Sequence, residues 1–450
     1  MKTTKFTILM LALIAFSCAE FLEERPNAAI LVPETAEDLR TLLNNSGQVF
    51  NMTPTLGEVS AGDYFTTDEA LNSFNSPEER NSYQWADDIF EGRSSSDWNR
   101  PYSQIFYANV IIKQADLLKD NIPVEEYNSL VGSALFHRAF ALFHLVQVFA
   151  PSYVQGNAES ALGLPMRLTP EIEQPVIRPT LQDNYVSMIS DLEKAKNLLS
   201  VTSVAKTFPT KFAAHALLSK IYLVLGDYGK SLEHGREVLQ GNFELMDYNT
   251  INPVPLRPFN NFNSEMIFYA VMDVYAITLN ANIFIDNDLI SSYSENDLRK
   301  NLFFRSRPNN NFGFRGSYVG NVRMFSGLSL DEVLLINAES EARLGMFIEA
   351  KATMKTLLQK RYISGSELPG ENLSDADLLP FILSERRKQL VFRGVRWSDL
   401  KRLNQEPQFS TVLTRVVNGQ TLTLEPNSLK YSLPIPPDEI NLSGIQQNPR

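Results

Sequence analysis

Apolar residues recur at helical spacing over most of the chain. In 102–118, Ile105, Ala108, Ile112, Ala115 and Leu118 fall on one face, which predicts an amphipathic helix. After Pro123 a longer helix runs over 125–149 and stops before Pro151, because the residue preceding a proline is driven out of helical geometry. A connection punctuated by Pro165, Pro170, Pro175 and Pro179 leads to Thr180, which is placed to cap a helix running to Leu199. Earlier, Thr35 is placed as an N-cap with Asp38 in the first turn, and Leu39, Leu42 and Leu43 form the buried stripe. Near the C-terminus, Leu379, Ile382, Arg386, Gln389 and Leu390 share a face, and Gly394 can end that helix. Trp397, Leu400 and Leu403 begin another stripe.

Two segments repeat a pattern. In 214–239, Ser219, Tyr222, Gly226, Tyr228 and Ser231 occupy the small, aromatic, turn and small positions of a unit that resembles a tetratricopeptide repeat. In 334–351, Ala338, Gly345, Phe347 and Ala350 fall in the same register. Two stretches break the periodicity, at about 44–99 and about 243–326, where Asn, Gly, Pro and scattered aromatics replace it. Long aperiodic segments between regular units commonly carry function. The expected fold is therefore all-α: a superhelix of tetratricopeptide-like helix pairs with long irregular loop insertions and little β structure. A short hairpin over 415–424, turning at Asn418-Gly419, is the clearest strand signal.

The first eighteen residues follow a different rule. Lys2 and Lys5 precede an apolar run over 6–16, then Ser17-Cys18. The run is shorter than the roughly 20 residues a membrane span needs, and its layout is that of a secretory signal. Cys18 is the single cysteine of the chain and sits where a bacterial lipoprotein signal is cut, which resembles a lipobox lacking its usual Leu. The expected organisation is a signal peptide over 1–17, a lipid anchor at Cys18 and one domain over 18–450. The rival reading is an ordinary secretory peptide with an incidental cysteine.

Charge narrows the function. With 41 Lys+Arg against 52 Asp+Glu the net charge is −11, and a nucleic-acid binder needs a broad positive field. The one strongly basic stretch, 382–404, holds Arg386, Arg387, Lys388, Arg393, Arg396, Lys401 and Arg402 against Glu385 and Asp399. In an acidic chain such a stretch is expected to be paired internally, with Glu385, Arg386, Arg396 and Asp399 tied into ion pairs.

The sequence carries no recognisable catalytic or metal-binding motif. Gly226-Asp-Tyr-Gly-Lys-Ser231 has two residues where a phosphate loop needs four before Gly-Lys-Ser. His137 and His144 lie two turns apart, not at the i,i+4 spacing that converges on zinc. With His215 and His234 they read as satisfied helix histidines. No cofactor, metal or catalytic residue is expected, and the chain reads as a binding protein.

Several stretches, in order, are similar to the signatures of the SusD/RagB family of surface lipoproteins in glycan uptake. They are Cys18 followed by Phe21-Leu-Glu-Glu24-Arg-Pro26; Trp98-Asn-Arg-Pro-Tyr-Ser-Gln-Ile-Phe-Tyr-Ala-Asn109; and the helix around Arg138-Ala139 and Leu145-Val146. The basic stretch resembles the family's Gly-x-Arg-Trp-x-Asp-Leu-x-Arg signature, with Arg393 where an acidic residue is usual. Leu433-Pro-Ile-Pro-Pro-Asp-Glu439-Ile and Gln447-Asn-Pro449 complete the series. The resemblance implies a tetratricopeptide-like fold and a lipid-anchored position on the outer membrane facing the cell exterior. It also implies an oligosaccharide ligand and a SusC-like TonB-dependent transporter as partner. Two other classes stay open: a helical-repeat scaffold for protein interactions, and a surface glycoside hydrolase with an acidic pair in one cleft.

Sugars stack their C–H faces on aromatic rings and need a few polar partners at the rim. Aromatics in the aperiodic segments are therefore the candidate ligand residues: Tyr64 beside Asp63, Tyr83 and Trp85, and Phe312, Arg315 and Tyr318. Trp98 and Trp397, inside the helix signatures, are expected to be packing residues.

Overall fold

The computed structural model describes residues 33–450, so the expected signal peptide over 1–17 and Cys18 lie outside the described residues. Helices dominate. Thr35 Oγ1 accepts from the Asp38 amide while the Asp38 carboxylate accepts from the Thr35 amide, and Thr180 and Asp183 make the same reciprocal box. Each box satisfies amides that the first helical turn leaves open. The Ser96–Leu118 helix starts earlier than the periodicity marks and carries on through Pro101, whose nitrogen has no hydrogen to donate. Val124–Phe149 packs between it and Leu181–Leu198. This helix is long and apolar enough to cross a membrane, yet 89% of its apolar window is buried inside the protein, so it is the central core helix.

The helix pairs form as the repeat pattern predicts. Lys211–Leu225 and Tyr228–Val238 are joined at Gly226, whose φ of 75° suits glycine. Ser219 Oγ donates to the Ser231 carbonyl (2.8 Å) and Ser231 Oγ returns a bond to the Ser219 carbonyl (2.9 Å), locking the two helices at their closest approach. The second pair, Leu330–Arg343 and Phe347–Leu358, stacks on the first through Gly235, where an added Cβ would lie 1.8 Å from Asn337 Oδ1.

The two aperiodic insertions fold against each other. Tyr64–Thr66 pairs antiparallel with Ile283–Ile285, and Met52–Thr53 pairs parallel with Val271–Met272. Phe304–Ser306 and Phe312–Phe314 make a small antiparallel ribbon, and the Leu413–Val417 and Gln420–Leu424 hairpin turns at Asn418 and Gly419, both at positive φ.

The basic stretch lies in the helices Asp375–Gln389 and Arg396–Leu403. The first ends at Gln389, before Gly394, and the link is fixed by the Gly394 amide donating to Glu58 Oε2 (3.0 Å). Its charges are paired, except that Lys401 donates only to the carbonyls of Gln147 and Ala150. Glu385 meets Arg299 at 2.6 Å and Lys388 at 2.7 Å; Arg386 meets Asp399 at 2.8 Å; Arg396 faces Asp63 at 3.5 Å. Arg402 bridges Asp399 and Glu339, both within 2.9 Å. Burial alone would raise the Asp399 carboxyl, but Arg386 and Arg402 overcome it and hold it at about 2.

Residues quoted for the sequence signatures also contact one another. Asn109 Oδ1 accepts from Arg138, which forks onto Asp191 with two 2.7 Å bonds. Trp98 Nε1 donates to Glu439, and Asn448 donates to the carbonyls of Phe149 and Leu433. Trp98 and Trp397 are buried packing residues. The histidines are buried too, but the reading of all four as satisfied needs correction. His215 and His234 share a 3.1 Å contact, whereas His137 Nδ1 has no partner among the described residues. Its ring packs against Phe50, and burial lowers its pKa to about 3, so it is neutral.

Gly235→Ala should destabilise the fold by about 1–3 kcal/mol, the usual range for overpacking, read as a lower denaturation midpoint in urea. A second outcome concerns Glu58, whose carboxyl is pushed by burial, then by Asp63, to about 8. The folded protein then binds a proton between about 4.5 and 8 that the unfolded chain has released, so this group lowers stability as pH rises through that window. Glu58→Gln should be increasingly stabilised relative to the parent from pH 4.5 to 8; a constant difference across that range would show that Glu58 is ionised.

Candidate functional site

The aromatic candidates of the first insertion turn inward. Tyr64, Tyr83 and Trp85 are each at most 3% exposed. They surround the guanidinium of Arg415, which comes from the C-terminal hairpin and lies 3.9 Å from the Tyr83 ring centre and 4.6 Å from that of Trp85. Arg415 donates to the carbonyls of Val59, Ala61 and Tyr83, and Trp85 Nε1 donates to the Ser60 carbonyl (3.0 Å). Asp63, also buried, pairs with Arg387 at 2.8 Å. These rings have no free face for a sugar; they hold an internal cation. The expectation of an exposed aromatic platform at 63–85 is corrected accordingly.

Tyr318 is corrected for the same reason. It is 1% exposed, and its hydroxyl sits among Tyr248 (2.6 Å), Glu265 (3.0 Å), Asp331 (3.0 Å) and Gln389 (3.2 Å). Arg393 lies 4.5 Å over its ring. The position of Arg393 thus suits this chain's own network: it also pairs with Asp331 and donates to Ser329 Oγ.

Phe312 and Arg315 remain half-buried on the second insertion. Phe312 lies in the ribbon opposite Ser306. Arg315 lines a cavity together with three further arginines outside the aromatic pattern, Arg257, Arg305 and Arg307. Arg305 lies opposite Gly313 in the ribbon, and Arg307, two residues on, emerges on the same side by the strand's period of two. Gly313 leaves the room: a Cβ there would come within 2.7 Å of Arg307 Nε. Arg315 is held from behind by the carbonyls of Pro255 and Asn301. Phe314 and Phe392, with ring centres 4.9 Å apart, line the cavity as well.

The electrostatics of this cavity differ from the rest of the molecule. Among the described residues none of the four arginines has a carboxylate partner, and the guanidiniums of Arg257 and Arg305 make no hydrogen bond. Burial, then the neighbouring arginines, lowers the pKa of Arg257, Arg307 and Arg315. A sequence signal did exist. Between Leu298 and Leu330 there is no Asp or Glu, while Arg299, Lys300, Arg305, Arg307, Arg315 and Arg323 all occur.

A larger groove of about 740 Å³ lies elsewhere, between Arg40, Leu43, Ser129, Ser133, Thr202 and Phe208. Its cation is already used, since Arg40 pairs with Glu126 at 2.9 Å. Unpaired charge therefore marks the arginine cavity, not size. No group of three or more His, Cys, Asp or Glu side chains that could hold a metal ion is present among the described residues.

Comparison with known proteins gives two family matches. Residues 20–223 match a family described as "Starch-binding associating with outer membrane", and residues 330–450 match the SusD family. A SusD-like protein P2 from Formosa agariphila is 30% identical over 54% of this chain and 48% of its own length, and SusD-like protein P25 of that organism is 26% identical over 56% and 48%. The chain thus aligns with about half the length of these curated relatives. Among solved structures, a SusD superfamily protein from Bacteroides thetaiotaomicron superposes with a TM-score of 0.77 at 22% identity, covering 92% of this chain and 100% of that one. A SusD-like carbohydrate binding protein from Bacteroides vulgatus gives 0.67 at 19% identity, covering 91% and 96%. These likenesses establish the fold.

Tyr318→Phe should leave the fold in place but cost about 1–3 kcal/mol, because Glu265 and Asp331 lose a buried partner while the ring stays packed. Urea denaturation reads the loss, and ligand affinity should not change.

Proposed function

The chain belongs to the SusD/RagB family, and from that premise we propose that it is a cell-surface lipoprotein that captures oligosaccharide and delivers it to a SusC-like TonB-dependent transporter. Anchoring in the outer membrane is through Cys18, and the protein binds its ligand without chemical turnover. The observation that carries this reading is the division of the chain by the two family matches. They cover 20–223 and 330–450, and the segment between them holds nearly every residue of the arginine cavity. A shared helical scaffold with an individual insertion is the arrangement expected where many ligands are served by one transport architecture. The carbohydrate-binding relatives support the ligand class. The lipobox-like Ser17-Cys18 supports the anchor.

Three measurements test the reading together. The wild-type protein should fractionate with the outer membrane and be removed from intact cells by added protease, while Cys18→Ser should appear in the soluble fraction. Calorimetric titration with oligosaccharides should give saturable binding, and reducing-end assays on the same mixtures should show no release. A protease-protected protein would favour an inward-facing scaffold, and released reducing ends would favour a hydrolase.

A further inference from the structure

We infer that the arginine cavity is a subsite for an acid group, and that the captured oligosaccharide is anionic, carrying the carboxylate of a uronic acid or a sulfate ester. The inference rests on the glycan-capture reading above and names the class of glycan.

Six of the other arginines are committed to internal carboxylates. Arg138, Arg299, Arg343, Arg361, Arg386, and Arg402 each meet a carboxylate within 3 Å. In a chain of net charge −11, carboxylates are plentiful. Yet Arg257, Arg305, Arg307 and Arg315 converge on one cavity and none has a carboxylate partner among the described residues. Crowding like charges in a half-buried place costs free energy, which a bound anion would offset.

The donors are also uncommitted. Among the described residues the guanidiniums of Arg257, Arg305 and Arg307 make no hydrogen bond. A planar carboxylate or a tetrahedral sulfate accepts from several guanidinium N–H groups at once, which a neutral hydroxyl does not do.

Size and rim agree. Against about 740 Å³ for the groove beside Arg40, the cavity is small, about 90 Å³. That suits one acid group and not a sugar ring. Leu256, Leu279 and Val322 also line the cavity and are 45–59% exposed. They offer an apolar ledge on which the C–H face of the sugar can rest while its acid group points inward.

The test uses the full-length protein and matched pairs of probes. One pair is a galacturonic acid tetrasaccharide and its carboxyl-reduced form; the other is a sulfated oligogalactan and its desulfated form. Calorimetric titration should show at least one charged member binding tenfold or more tighter than its neutral match, with affinity falling as salt is raised. The pair that responds identifies carboxylate or sulfate as the group. In the double variant Arg257→Gln/Arg305→Gln that preference should vanish. Its melting temperature should stay level or rise, since like charges are removed and no hydrogen bond is lost. Equal binding of charged and neutral members, or an unchanged preference in the variant, overturns the inference and leaves glycan capture standing. A lowered melting temperature in the variant would assign these arginines to structure and also overturn it. If no oligosaccharide of either kind binds, the glycan reading fails and this inference fails with it.

Discussion

The fold depends on a set of buried ion pairs centred on the helices Asp375–Gln389 and Arg396–Leu403. Removing a charge from water costs several kcal/mol even after relaxation, and only close, multiply hydrogen-bonded partners return it. Here the partners come from distant parts of the chain. Glu332 and Glu339 belong to a repeat helix, Asp297 and Arg299 to the second insertion, and Asp63 to the first. A partner left alone in this region would be a buried uncompensated charge, so the repeats and both insertions must assemble together. That coupling turns a segment which reads as a nucleic-acid patch into the clasp of the fold. The same constraint explains why the charged residues of a family signature are spent on holding the fold together.

The fold was legible in the sequence where its determinants are local. Apolar spacing, the Thr35–Asp38 and Thr180–Asp183 caps, the small residues Ser219 and Ser231, and the Asn418-Gly419 turn each act within one turn or one hairpin. The pairing of the basic stretch was legible from charge balance alone. The identities of its partners were not, because they depend on contacts across hundreds of residues. The candidate site shows the same limit more sharply. Tyr83 and Trp85 lie in an aperiodic stretch, which suggested exposure, but Arg415 reaches them from 332 residues away in sequence and makes them core. Aperiodicity reports irregular backbone, not solvent exposure. Phe259 and Tyr318 confirm this, each buried on irregular backbone.

What marks the site is a difference between two populations of arginine. Arg138, Arg299, Arg343, Arg361, Arg386 and Arg402 are consumed by carboxylates and fix geometry. Arg257, Arg305, Arg307 and Arg315 are left facing a cavity, positioned by backbone and by the space above Gly313. An acidic protein that spends so many carboxylates on internal pairs, and none among the described residues on these four guanidiniums, keeps a local positive field inside a negative whole. Such a field attracts small anions at close range while the overall charge repels acidic macromolecules at long range.

This separation also bears on how one scaffold can serve different ligands. Because the clasp satisfies its charges internally, substitutions in the ribbon Phe304–Ser306 and Phe312–Phe314 can alter the cavity without exposing an unpaired group beneath it. Tyr318, Asp331 and Arg393 form the boundary: they belong to the network and support the insertion from below. Residues above that boundary answer to the ligand, and residues below it answer to the fold. The carboxylate-free run from Leu298 to Leu330 is the trace of that division in the primary structure, since a single acidic residue beside Arg305, Arg307 and Arg315 would neutralise the cavity from within.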